Sequence, residues 1–113
     1  DTMQLARSIV DALEDKKGED ILLLDIRGLA VFADYFVICS GTSDRMLQAL
    51  SEAVSECAHQ EHGLATRSEG KAQDGWMLVD LGDVIVHLFS PERRNYYRLE
   101  ELWSHGKILL RLQ

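Results

Sequence analysis

Apolar side chains recur at helical spacing at Leu5, Ile9, Ala12 and Leu13, which predicts a first helix with one buried stripe. Thr2 is placed to cap it, and Lys16-Lys17-Gly18 to end it, because basic residues followed by glycine favour a helix C-terminus. The period then changes. Residues 21–26 and 35–40 are short apolar runs, the second rich in aromatic and β-branched side chains, and both predict strands. Gly41-Thr42-Ser43-Asp44 opens the longest helix, with Met46, Leu47, Leu50, Val54, Cys57 and Ala58 as its stripe and Gly63 as its stop. A span of about 20 residues makes that helix roughly 30 Å long.

Beyond it, residues 64–68 predict an edge strand, and the polar run from Glu69 to Gly75 predicts a turn. Residues 76–80 and 83–89 alternate strongly and are joined by Leu81-Gly82, a hairpin. Ser90-Pro91-Glu92 starts a short closing helix, proline suiting the first helical position, with Leu99, Leu102 and Trp103 on one face. Gly106 breaks it, and the apolar tail at residues 108–112 has no assigned partner. The pattern predicts an α/β fold over residues 1–113, one domain with a mixed sheet of about five strands and flanking helices. At 113 residues there is room for one hydrophobic core.

Within the hairpin, a Leu81-Gly82 turn sets Asp80 opposite Asp83, Leu78 opposite Ile85 and Trp76 opposite His87. Alternation then gives an aliphatic face of Met77, Val79, Val84, Val86 and Leu88. The other face mixes Trp76, Leu78, Asp80, Asp83, Ile85, His87 and Phe89. A tryptophan beside acids has the make-up of a protein-binding hot spot, an aromatic anchor with charges that select a basic partner. It is equally the make-up of a tryptophan packed under a helix beside aspartates that solubilise a turn. A three-residue turn with Gly82 left-handed would reassign one strand's faces.

Composition narrows the functional classes. The chain is 46% hydrophobic and 27% charged, with one proline, as expected of a folded protein. Its net charge is −7, with 19 acids against 12 bases, and nucleic-acid affinity rests largely on Lys and Arg neutralising phosphates. Direct nucleic-acid binding is therefore not expected, and a basic protein partner fits the sign. The longest apolar run, residues 21–24, is too short to cross a bilayer, and no signal peptide is evident. Cys39 and Cys57 lack CxxC spacing and sit in apolar patterns, which suits two reduced, buried thiols in a cytoplasmic protein.

Candidate chemistry is sparse. Val37-Ile38-Cys39-Ser40-Gly41-Thr42-Ser43 runs from strand into helix, where an anion could sit, but it has neither phosphate-loop spacing nor a following Lys. Capping of the helix accounts for Thr42, Ser43 and Asp44. The small-residue loop also suggests nucleotidyltransferases, which hold two magnesium ions with an Asp-x-Asp pair, and no Asp-x-Asp or Asp-x-Glu occurs here. His59 and His62 lie three apart at a helix end without an HExxH pattern, and neither His87 nor His105 forms a recognisable nucleophile arrangement. No catalytic residue, metal ligand or cofactor is assigned.

Three segments carry a family resemblance. Asp34-Tyr35-Phe36-Val37-Ile38-Cys39-Ser40-Gly41-Thr42-Ser43, the run from Gly75 to Phe89 with its Trp76-Met77-Leu78-Val79-Asp80-Leu81-Gly82-Asp83 core, and Tyr97-Arg98-Leu99-Glu100-Glu101-Leu102-Trp103 resemble, in order, the signatures of the ribosomal silencing factor (Iojap) family. The resemblance implies a nucleotidyltransferase-like fold without the catalytic acids. It also implies a partner, the basic ribosomal protein L-fourteen on the joining face of the large ribosomal subunit, where the bound factor blocks docking of the small subunit. Organellar relatives carry longer leaders, so the short start implies a bacterial version. Within the matched segments Trp76, Asp80, Asp83 and Tyr97 are the expected partner contacts. Two rival readings are a small metal-dependent nucleotidyltransferase with unconventional ligands and a dimeric interaction module, the chain pairing with itself when free.

Overall fold

The two most continuous apolar runs form the middle of a sheet that is covered on both sides. The structure, a computed structural model, describes residues 1–113 apart from the side chain of Leu102. Strands β1 (Glu19–Asp25) and β2 (Tyr35–Ser40) pair antiparallel, and every β2 side chain is buried. With β3 (Arg67–Lys71), β4 (Trp76–Asp80), β5 (Val84–Phe89) and β6 (Lys107–Leu112) they make one sheet in the order β3-β4-β5-β2-β1-β6. β2 and β5 run parallel and the other neighbours antiparallel, so the sheet is mixed as expected. It has six strands rather than about five. The apolar tail is the sixth, pairing along β1 from Ile21↔Leu112 to Asp25↔Lys107.

The long helices α1 (Thr2–Asp15) and α2 (Asp44–His62) share one face. Leu5, Ile9 and Leu13 of α1 and Leu47, Leu50 and Val54 of α2 pack on Val37, Cys39, Val79, Val84, Val86 and Leu88. The cap of α1 is Asp1, whose carboxylate accepts the Gln4 amide at 2.9 Å, and Thr2 is already helical. Ser43 caps α2, and Gly63 ends it in the left-handed conformation, as its sequence predicts.

The opposite face is covered by α3 (Pro91–Tyr97), α4 (Leu99–Leu102) and the loop before β2. Sequence periodicity predicts one closing helix there. Arg98, left-handed at φ 47, divides it in two. Leu99 and Trp103 do pack against this second core of Leu22, Leu24, Ile26, Phe36, Ile38 and Phe89. The Leu102 side chain, assigned to the same face by its spacing, lies outside the described residues. β3 begins three residues later than its composition indicates and is exposed throughout, because pairing with β4 defines it rather than an apolar pattern of its own.

The hairpin turn differs by one residue from the sequence reading. Leu81 N–H donates to Val84 O at 3.0 Å, so Gly82-Asp83 are the two turn residues, with Gly82 at φ 95 in the first position. A glycine there with a positive φ is the arrangement of a tight hairpin turn. Asp80 consequently stands opposite Ile85, Leu78 opposite His87 and Trp76 opposite Phe89. Moving a two-residue turn by one position shifts the pairing by two, an even number, so the strand side chains keep their expected faces, while Asp83 passes from the strand into the turn.

Gly82 and Gly75 separate backbone strain from steric clash. Both have positive φ, but a Cβ on Gly82 meets nothing within 4 Å, whereas one on Gly75 lies 2.7 Å from both Arg93 Cγ and Ser90 Oγ. Gly82→Ala is expected to cost about 1–2 kcal/mol, the strain of a left-handed alanine. Gly75→Ala is expected to cost more, by disturbing the start of α3. Urea denaturation of the two variants in parallel checks the order, and equal losses would show that α3 yields without cost.

Candidate functional site

The sheet face opposite α1 and α2 is only partly covered, and the sequence-predicted residues Trp76 and Tyr97 meet on it. Trp76 is half-buried, its ring 5.1 Å from Phe89 in a stacked arrangement and 4.5 Å from Tyr97. It is therefore neither the free-standing anchor nor the fully covered core residue that its sequence context allowed. An aromatic row continues from Trp76 through His87 (6.0 Å), Phe36 (4.8 Å, edge-on) and Trp103 (5.3 Å, edge-on) to Phe32. Such tilted and edge-on pairs are favoured over face-to-face stacks by the ring quadrupole. Leu78 and Ile85 lie half-exposed beside the row, and Phe32 is 54% exposed.

His87 is the polar member of this apolar row. The Trp76 indole Nε1–H donates to His87 Nδ1 at 3.3 Å, which places the imidazole proton on Nε2, where it is buried without a partner. Burial holds the imidazole pKa down to about 4, so the ring is neutral near neutral pH. The neutral ring is what allows Nδ1 to accept from tryptophan.

Asp80 and Asp83 lie four or more residues along the hairpin from Trp76, about 13 Å for four residues of strand. Asp80 is half-buried and its carboxylate accepts the Gly82 amide at 2.8 Å, so it supports the turn as well as facing outward. Asp83 is exposed, and its carbonyl accepts the amides of Asp34 and Tyr35 at 2.8 and 3.1 Å, tying the turn to β2. The structure thus joins Trp76 with Tyr97 and places the two aspartates together at the far end of the hairpin.

Other members of this face are invisible to a linear reading. Register puts Lys71 opposite Trp76, Glu69 opposite Leu78 and Arg67 opposite Asp80, all on the same side of the sheet. Residues 73–83, which hold three aspartates and no Lys or Arg, are therefore flanked in space by two bases. Glu69, Gly70, Trp76 and Leu78 line a shallow hollow of ≈ 240 Å³, wide enough to take a partner's side chain. Leu29, Val31 and Phe32 project from the loop before β2. The one signal for that loop is an apolar run without strand or helix period.

The small-residue segment after β2 is a helix cap: Ser43 Oγ accepts the Met46 amide at 3.0 Å, and the Thr42 amide lies 3.3 Å from Met46 Sδ. Among the described residues, no three His, Cys, Asp or Glu side chains are grouped to hold a metal ion. Cys39 and Cys57 are buried and unpaired, their thiol pKa values pushed up to about 12 and about 11, chiefly by burial. Among the described residues, no helix is long and apolar enough to cross a membrane.

A mixed sheet backed by two helices, with an aromatic strip left half-covered on its other face, defines a small single-layer-sheet α/β protein. The family model described as "Ribosomal silencing factor during starvation" matches residues 1–111, and the chain belongs to that family. The ribosomal silencing factor of Bacillus subtilis is 46% identical over 97 residues, 86% of this chain and 82% of its own. The chloroplastic Iojap protein of Zea mays is 29% identical over 92% of this chain and 44% of its own length. A crystal structure of a Chromobacterium violaceum protein superposes with a TM-score of 0.87 at 36% identity, covering 92% of this chain and 87% of that one.

The His87 geometry carries a pH dependence. The folded state holds its imidazole neutral down to about pH 4, while the unfolded ring takes a proton near 6.5. Stability from this residue is therefore complete above about pH 6.5 and falls as pH drops towards 4. Between about pH 7 and pH 5 the loss is expected to be about 2 kcal/mol. His87→Gln should flatten that part of the denaturation-against-pH curve. An unchanged slope in the variant would mean that His87 is solvated or paired.

Proposed function

We propose that this chain is a non-enzymatic translation repressor of the bacterial cytoplasm. It binds the large ribosomal subunit at the basic ribosomal protein L-fourteen and sterically blocks joining of the small subunit. Membership of the ribosomal silencing factor family supports the ribosome as target. The observation that carries the choice of surface is the half-covered strip of Trp76, Leu78, Ile85 and Tyr97, with its hollow beside Trp76. Partly exposed aromatic groups around a concavity are the usual centre of a protein interface.

Charge supports the same reading at longer range. A net charge of −7 steers the protein towards a basic surface, and the exposed Asp83 carboxylate extends from the rim of the strip. Arg67 and Lys71 moderate the local field, so the rim selects orientation more than it supplies affinity. When free, the chain has the same strip available to a second copy of itself. Such a homodimer would have to separate before binding, and ultracentrifugation over a concentration series measures it.

Trp76→Ala is expected to weaken cosedimentation with isolated large subunits at least 30-fold, about 2 kcal/mol. Because Trp76 is half-buried on Phe89, the same variant should also lose stability, by less than the about 3–5 kcal/mol of a fully buried aromatic. A variant that melts early yet binds normally when folded would remove Trp76 from the interface. Asp83→Lys separates charge from folding, since its side chain is exposed, whereas Asp80→Lys also removes the cap on Gly82. Asp83→Lys should slow association and reduce its salt dependence. Binding that is indifferent to both salt and Asp83→Lys would exclude the acidic rim.

A further inference from the structure

β2 and β5 are parallel neighbours whose continuations diverge at the sheet's end. After Ser40 the chain enters α2 on one face; after Phe89 it enters α3 on the other. In open α/β sheets, ligands settle in the crevice that such a divergence leaves beyond the carboxyl ends of the strands. Here a cavity of ≈ 550 Å³, a size common among small-molecule sites, opens at that end of the sheet on the α3 side, lined by Ser40, Pro91 and Arg94 among others but by no residue of α2. It is separate from the Trp76 strip and shares no lining residue with the hollow there.

The cavity is charged but balanced. Arg94, Arg98 and Arg111 line it together with Asp20, Glu100 and Glu101. Arg94 pairs with Glu100 at 3.1 Å and Arg98 with Glu101 at 3.5 Å. A polyphosphate would meet as many carboxylates as guanidinium groups, which disfavours nucleotides and other polyanions.

The centre of the site is built rather than loose. The Arg94 side chain is 10% exposed and is fixed by the Asp20 carbonyl, by Ser40 Oγ at 3.0 Å and by Glu100 Oε2. Its Nη2 has no hydrogen-bond partner among the described residues. Glu100 Oε1 is buried behind the wall with no partner, out of reach of a ligand in the open cavity, and Oε2 is taken by Arg94. The Arg111 guanidinium and the Asp20 carboxylate form no ion pair among the described residues. The exposed Asp20 carboxylate can take a donor, and the unpaired guanidinium nitrogen needs an acceptor. One ligand that carries an ammonium and a carboxylate answers both.

We propose that this cavity binds a zwitterionic small molecule of the α-amino-acid class, its carboxylate on Arg94 and Arg111 and its ammonium on Asp20. The volume leaves room for the ligand's side chain beyond the two charged ends. The inference goes beyond the ribosomal reading and does not depend on it, because it is tested on the isolated protein.

The test presents the twenty free amino acids singly to the full chain, with ligand-observed NMR and calorimetry as readouts. At least one should bind with a dissociation constant between about 10 μM and 1 mM, the range open to so small a ligand. N-acetylation of its amino group and amidation of its carboxyl should each weaken binding at least about ten-fold. Arg94 anchors the fold, so the informative variant is Arg111→Glu, at an exposed position on β6. It should keep the wild-type melting temperature and lose binding by at least about ten-fold. The proposal is overturned if no amino acid binds at about 10 mM. It is equally overturned if the blocked derivatives or the Arg111→Glu protein bind as well as their parents, or if inorganic phosphate binds where amino acids do not.

Discussion

Strands β1 and β2 carry apolar side chains on both of their faces, so the sheet they centre has to be covered twice. The chain has two long helices, and both lie on the same side. The second cover is left to helices of 7 and 4 residues and one loop. At helical rise these span about 10 Å and about 6 Å, against a six-stranded sheet roughly 24 Å across. They reach Leu22, Leu24, Phe36, Ile38 and Phe89, and leave Leu78, Ile85 and the outer side of Trp76 half in water. The candidate interface thus follows from a shortage of cover at one place, not from a specialised motif.

A short cover must also be held in place. Arg94 does this from within α3, reaching the start of β1 through the Asp20 carbonyl, the end of β2 through Ser40, and α4 through Glu100. A buried guanidinium is tolerable only when several acceptors surround it, and here three elements supply them. On the other flank, Tyr97 closes over Trp76, and Trp76 donates to His87. The same few residues therefore decide both whether the second core is sealed and how the strip is shaped. Replacing one of them acts on stability and on surface together, as the half-burial of Trp76 makes plain.

Most of the fold was legible because its elements carry their own periods. α1, α2, β2 and β4 have strong apolar repeats and form where those signals lie, although Asp1 rather than Thr2 caps α1. What escaped was set by partners distant in sequence. β3 is wholly exposed and exists as a strand because β4 offers it hydrogen bonds. β6 has an apolar pattern but no turn to tie it to a neighbour, and β1 lies some eighty residues earlier. Arg94 carries no signal in the sequence, since nothing local marks a side chain that will be buried at a sheet's end. Trp76 and Tyr97 were legible as a pair of candidates, but their contact and the share of each ring left exposed depended on where Arg98 breaks the closing helix.

Charge was the property most distorted by reading along the chain. Between Gln73 and Asp83 the sequence has three aspartates and no base, yet a sheet places residues beside each other by register rather than by order. Arg67 and Lys71 arrive opposite Asp80 and Trp76 from the neighbouring strand. Exposed charges act over roughly a Debye length, about 8 Å in physiological salt, so these bases largely offset Asp80 at the strip itself. The excess of seven negative charges belongs to the molecule as a whole, and its effect is on the rate of encounter with a basic surface. On the proposed interface, selectivity once contact is made would rest on shape: an aromatic ridge, a hollow beside it, and alternating signs of charge that fit one orientation of a partner and oppose the others.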